Sequence, residues 1–169
     1  MAENTHHAGL TALNKVPYSR NEIAELVERS RWMQGFPYYE IEQLAKFISV
    51  YQANKGMVVF QEGAREIYLC LLLEGQIEIQ KENATHKEKT LAVIQRGRAF
   101  GEMSLIDGQP RSASAVAAED SLIVVLPQHD FLRLIEEQPR LAAKLLLKLG
   151  AIMSQRLRQT SGVLIDYIQ

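Results

Sequence analysis

Cysteine occurs only once in the 169 residues, as Cys70, so neither an intramolecular disulfide nor a cysteine-rich metal site is available. Its neighbours Leu69, Leu71, Leu72 and Leu73 mark it as a small buried apolar residue and not a reactive thiol. An excess of either charge is also missing. Lys and Arg number 19 against 20 Asp and Glu, for a formal net charge of −1. That balance argues against nucleic acid as a partner of this chain, because phosphate-backbone binding needs a basic surface. The longest apolar runs are only strand-length, too short to span a bilayer, so no membrane partner is expected. The start, from Met1 to His7, has neither a basic region nor an apolar core, so it is not a signal peptide and the expected location is cytoplasmic. The four histidines, His6, His7, His86 and His129, have no metal-ligand spacing, so no metal is expected. No Ser, Cys or paired-carboxylate arrangement suggests a hydrolase, and no catalytic residue is assigned.

What is present is ordinary globular material: 47% hydrophobic and 23% charged residues, enough for one domain with a proper core. Residues 1–20 are polar without sustained periodicity and read as a loosely held N-terminal extension; the domain proper is expected over 21–169. Asn21 to Arg31 reads as a helix capped by Asn21, with Ile23, Leu26 and Val27 as its apolar stripe. Pro37 interrupts, and Tyr39 to Ile48 reads as a second short helix.

From about residue 50 to 127 the character changes to short β-rich runs separated by Gly or polar turns. The runs are Met57–Gln61, Tyr68–Leu73, Gln76–Gln80, Thr90–Ile94, Ala113–Ala117 and Leu122–Leu126. Lys81 to Lys89 mixes both charges and reads as a solvated hairpin loop. Residues 128–169 turn helical again: Gln128 to Glu136 is one short helix, and Pro139 opens a long one. Along the long helix Leu149, Met153, Arg156, Thr160, Val163 and Tyr167 share one face, with Leu146, Leu157, Leu164 and Ile168 beside it. Two adjacent apolar stripes predict two-fold self-association through this helix. The predicted fold class is α+β, mainly β: an antiparallel jelly-roll or β-roll flanked by N-terminal helices and a long C-terminal helix.

One cassette carries chemistry. In Phe100-Gly101-Glu102-Met103-Ser104-Leu105 a Gly and a carboxylate open a short apolar turn, and Pro110-Arg111-Ser112-Ala113-Ser114 brings in one Arg. A tight turn entering a helix leaves backbone N–H groups free for an anion. Arg111 supplies a permanently charged planar fork suited to phosphate, and Glu102 an acceptor suited to a hydroxyl. Singly, Glu102 reads first as a cap for backbone N–H groups in a turn, and Arg111 as a structural bridge to Asp107 or Glu102. Together they describe a seat for a sugar phosphate.

Helices, a β-roll, this cassette and a long C-terminal helix together resemble the cyclic-nucleotide-binding domain, the family of the bacterial catabolite activator, the regulatory subunits of cAMP-dependent kinase and cyclic-nucleotide-gated channels. The resemblance runs from about Trp32 to the end and includes the turns Gln61-Glu62-Gly63 and Leu73-Glu74-Gly75. It implies that the backbone from Gly101 through Met103 to Ser104 receives a cyclic phosphate, that Arg111 pairs with it and that Ser112 adds a hydroxyl contact. It implies further that Glu102 binds the ribose 2′-hydroxyl. The segment Arg156-Leu157-Arg158-Gln159-Thr160-Ser161 is similar to the part of the catabolite activator's dimer helix that caps the adenine, which would give Thr160 and Ser161 the base and place Arg156 near the site. Against that, helical hydroxyls often bond to the carbonyl one turn earlier, and Arg156 would equally snorkel to a surface carboxylate.

The implied ligand is cAMP, with cGMP second: Ser112 is intermediate between the two branches, and the Thr160–Ser161 pair favours cAMP. The expected function is a non-catalytic sensor, a homodimer through its C-terminal helix, signalling by helix movement to an effector protein in trans. Two departures from the family pattern stand out. After Glu62-Gly63 the family has an acidic residue and then a small one, where this chain has Ala64 and Glu66. The sequence also stops at Gln169, about where the catabolite activator's helix would pass into a helix-turn-helix. Two alternatives stay open: a ligand-free dimeric interaction or adaptor module, and the sensor half of a truncated transcription regulator.

Overall fold

The computed structural model describes residues 9–82 and 88–167, with 162–167 as backbone only. The chain divides into two compact units, residues 1–130 and 131–169.

The first unit begins with a 3-10 turn (Leu10–Ala12) and strand β1 (Asn14–Val16), which pairs antiparallel with β2 (Ser49–Ala53). The described part of the stretch that reads as a loose extension therefore contributes a sheet strand. Three residues are too few to show a period, and the pairing is supplied by β2. Helix α1 (Arg20–Glu28) starts one residue before the predicted cap. Ser19 is the N-cap, its Oγ accepting from Glu22 N while Glu22 Oε2 accepts from Ser19 N at 2.7 Å. This reciprocal capping box replaces the cap assigned to Asn21, and its bonds hold the Glu22 carboxyl below its usual range. A 3-10 turn (Arg31–Met33) and α2 (Tyr38–Leu44) follow, the helix ending four residues short of the predicted Ile48, where Lys46 N and Phe47 N donate to Gln43 O and Leu44 O in tighter turns that lead into β2.

The β-rich region forms two antiparallel sheets, as expected of the predicted roll. It comprises β3 (Val58–Phe60), β4 (Tyr68–Glu74), β5 (Ile77–Glu82), β6 (Glu88–Ile94), β7 (Ala99–Phe100), β8 (Ser114–Ala117) and β9 (Ser121–Pro127). One sheet runs β1-β2-β9-β4-β7 and the other β3-β8-β5-β6. Facing side chains of the two sheets make a core that includes Phe60, Tyr68, Cys70, Leu72, Ile77, Phe100, Ile123 and Val125. Period-two alternation sends Leu69, Leu71 and Leu73 to the other face of β4, where they are buried as well. A strand covered on both faces explains why Tyr68–Leu73 reads as an unbroken apolar run. Between β7 and β8 lies the short helix α3 (Glu102–Asp107), which Gly108 closes in the left-handed region. Among the described residues no group of three or more His, Cys, Asp or Glu is placed to hold a metal.

Cys70 is fully buried in this core, and burial pushes its thiol up to about 12. Only the thiolate reacts. Ellman's reagent at pH 8 is therefore expected to leave the native protein unlabelled and to label one thiol per chain after denaturation; labelling of the native protein would show that the core opens there.

Helix α4 (Gln128–Glu137) leads into the second unit, and α5 (Pro139–Tyr167) supplies most of it, Pro139 sitting at its first turn as predicted. Leu141, Leu145 and Leu149 are buried, Met153 and Arg156 half-buried and Thr160 exposed. Of the second stripe, Leu146 and Leu157 are exposed. The side chains of Val163, Leu164 and Tyr167, and Ile168 altogether, lie outside the described residues, as do His6, His7 and His86. No helix among the described residues is long and apolar enough to cross a membrane.

Candidate functional site

The cassette is assembled by two strand pairings. In one sheet β7 pairs with β4 in the register Cys70↔Phe100 and Leu71↔Ala99, which carries Gly101 past the end of the ladder toward Tyr68. In the other, β3 pairs with β8, Phe60↔Ala115, which brings the turn after Phe60 beside the segment entering β8. That segment holds Arg111, fixed by its own backbone: Gly63 N donates to Arg111 O at 2.8 Å, and Arg111 N donates to Ala64 O at 2.9 Å.

The side chain of Arg111 points inward and is 3% exposed. Nη1 donates to Gly101 O at 3.0 Å and Nη2 to Tyr68 O at 2.9 Å. The guanidinium carbon lies 4.1 Å from the centre of the Phe60 ring and 4.4 Å from that of Tyr68, a cation–π sleeve on two sides. Nε is buried and has no hydrogen-bond partner. Burial pulls the guanidinium below its ordinary pKa, a pull opposed by the Cys70, Tyr68 and Glu66 side chains. Arginine stays charged at neutral pH regardless. A guanidinium has five N–H donors, two of which are spent here on carbonyls, so it keeps donors for an anion.

Gly101 is the hinge of this arrangement. It lies in the left-handed region with φ +75, and an added Cβ would sit 3.0 Å from Arg111 Nη1, 3.1 Å from the Phe60 ring and 3.3 Å from Tyr68 O. Glu102 and Ser104, in the first turn of α3, are buried, whereas Met103 between them is exposed. The exposed Ser112 hydroxyl donates to Met103 Sδ at 3.7 Å, which brings the two arms of the cassette together. Asp107, one of the carboxylates considered for Arg111, accepts from Gln109 N at 2.9 Å in a local turn.

Gly101, Glu102, Met103, Ser104, Arg111 and Ser112 thus lie along one short turn and the strand lead-in beside it. Arg156, Thr160 and Ser161 lie on α5, in the other unit. There Thr160 Oγ1 donates to Arg156 O at 3.0 Å and Ser161 Oγ to Leu157 O at 2.9 Å, the back-bonding that competes with a role at the base.

Several residues that shape the site carry no motif. Phe60 and Tyr68 wrap the guanidinium, and Tyr68 is itself anchored by its hydroxyl, which donates to Val59 O at 2.6 Å. Its phenol is raised well above the ordinary range by burial. Lys81, read as part of a solvated loop, donates to Ser112 O at 3.1 Å and pairs with Glu62 at 3.5 Å. Glu62 N in turn donates to Ser114 Oγ at 2.9 Å. The available signal was an aromatic on either side of the Gln61-Glu62-Gly63 turn, which by itself reads only as core.

Residues 51–138, running from β2 to the end of α4, match the cyclic nucleotide-binding domain. The Cyclic AMP receptor protein of Thermus thermophilus is 34% identical over 133 residues, 75% of this chain and 60% of that protein. A CRP-like cAMP-activated global transcriptional regulator of Mycobacterium tuberculosis is 26% identical over 144 residues, again with 62% of its length covered, so the chain spans about three fifths of these curated relatives. Among solved structures, a cyclic nucleotide-binding domain from Methylobacillus flagellatus superposes with a TM-score of 0.79 at 28% identity, covering 92% of this chain and 89% of that one. With the matched stretch enclosing the whole Gly101–Arg111 arrangement, this chain belongs to the cyclic nucleotide-binding domain family.

Proposed function

We propose that this protein is a non-catalytic sensor of cAMP, with cGMP as the weaker ligand. The observation that carries the proposal is Arg111: a guanidinium 3% exposed, in cation–π contact with two aromatic rings, with Nε unpartnered. A buried charge is costly unless it is compensated, and an anion taking the remaining guanidinium donors would compensate it. A cyclic phosphate would take Arg111 and the N–H groups of the Gly101–Ser104 turn, with Ser112 adding a hydroxyl. Glu102 would accept from the ribose. The relatives named as cAMP-responsive support the choice of base, as does the similarity of the Thr160–Ser161 segment to the adenine cap. A kinase regulatory subunit from Aspergillus fumigatus, 28% identical, is named for cAMP as well. In this reading Thr160 and Ser161 exchange their back-bonds for the base, with Arg156 beside them. The exposed Leu146 and Leu157 of α5 join two copies, and movement of α5 reports occupancy to an effector protein in a cytoplasmic setting.

Nucleotide at a hundredfold excess over its dissociation constant stabilises the native state by about 2.7 kcal/mol. For a chain of this size that raises the melting temperature by about 5–10 °C. A thermal melt that millimolar cAMP and cGMP both leave unmoved would sink the proposal and favour a ligand-free interaction module. A larger shift with cGMP would reverse the choice of base alone.

A further inference from the structure

We propose that the segment ahead of β1 straps the 61–67 loop against Arg111 through Glu66, making Glu66 and Gly9 positioning residues for the anion site. The proposal rests on the reading of that site given above. Glu66 is exposed, yet its Oε2 accepts from Leu10 N at 3.2 Å, across 56 residues of sequence. Gly9, at φ +106, comes so close that a Cβ there would collide with the same carboxylate oxygen.

The segment is secured independently of that contact. Leu13 is buried in the core that holds Phe60, Leu10 packs at its edge, and β1 is hydrogen-bonded to β2. The loop is thus tied to a fixed body at Glu66. Two residues earlier, Ala64 O receives Arg111 N, and Gly63 N donates back to Arg111 O. Tension or slack at Glu66 passes through this short stretch to the backbone that aims the guanidinium. Ala64 and Glu66 are also the positions where the chain departs from its family's turn pattern, and the strap gives Glu66 a local use. Its negative charge additionally favours the charged form of Arg111.

The test compares the parent chain with E66A, E66Q, G9A and the E66A/G9A double variant. Amide exchange at Leu10, Gly63 and Arg111 is read by NMR in the ligand-free protein, and cAMP affinity by calorimetry. E66A and G9A are each expected to speed exchange at Gly63 and Arg111, and to weaken cAMP binding, by about three- to tenfold, the worth of one hydrogen bond. E66Q keeps an acceptor oxygen and is expected to stay near the parent, separating the bond from the charge. Ala at φ +106 is strained with or without the carboxylate, so the double variant is expected to fall below E66A by that backbone strain, and E66A against E66Q isolates the bond. Parental exchange rates at Gly63 and Arg111 in both E66A and G9A overturn the strap, and so does faster exchange with parental cAMP affinity. If the parent binds neither cAMP nor cGMP, the nucleotide reading fails, and the exchange rates alone decide whether the strap exists.

Discussion

Replacing Arg111 with Ala is expected to lower cyclic-nucleotide affinity by at least about 100-fold, the scale on which losing one partner of a buried charge pair acts. The ligand-free protein should feel the change much less, because its losses and gains oppose. The substitution removes a desolvated charge whose Nε is unpartnered, which is favourable. It also takes donors from Gly101 O and Tyr68 O and a cation from the faces of the Phe60 and Tyr68 rings, which is unfavourable. Calorimetric titration paired with a ligand-free melt separates the two roles. A purely structural arginine would show a large drop in melting temperature and, once refolded at low temperature, parental affinity. Arg111→Lys sharpens the comparison. It keeps the charge, but a single ammonium cannot serve two carbonyls and still offer a planar fork, so affinity should fall between parent and Ala.

The residue types of the proposed site are legible in the sequence, but the surroundings of Arg111 are not. Gly101, Glu102, Arg111 and Ser112 are residues of recognisable type: a Gly where the backbone turns left-handed, a carboxylate, a fork and a hydroxyl. Phe60 and Tyr68 are core aromatics by type, and only the pairing of β3 with β8 and of β4 with β7 brings their rings against the Arg111 guanidinium. Long-range pairing has no local signature. The same reason hides β1 and β7, three and two residues long, whose identity as strands comes from β2 and β4. Runs such as β4, β5 and β9 are visible because each holds apolar or alternating β-branched residues in a stretch too short for a helix and bounded by turns. The cap of α1 is a different kind of miss. Ser19 and Glu22 stand at capping-box spacing, so the true start was written locally and was overlooked in favour of Asn21. On α5 the residue types again left two uses open, and the hydroxyls of Thr160 and Ser161 are found bonded back to their own helix.

Gly101→Ala is expected to reduce both stability and nucleotide affinity, and for one geometric cause. The residue sits at φ +75, where an L side chain costs about 1–2 kcal/mol before any contact is considered. The new methyl then meets Arg111 Nη1 at 3.0 Å, the Phe60 ring at 3.1 Å and Tyr68 O at 3.3 Å. Tyr68 O belongs to central strand β4, and Phe60 packs in the core, so neither gives way easily. Arg111 is the group able to shift, but shifting it breaks the bond from Nη1 to the carbonyl of Gly101 itself. Overpacking of this kind adds about 1–3 kcal/mol, so chemical denaturation should show a total loss of about 2–5 kcal/mol. Affinity should fall in parallel by about tenfold or more, since a displaced fork no longer aims its free donors where the anion lies. The pairing of the two losses is the diagnostic. Gly101→Ala that costs stability but binds cAMP as the parent does would mean that the turn is only a fold element, and that the anion is held by something other than Arg111.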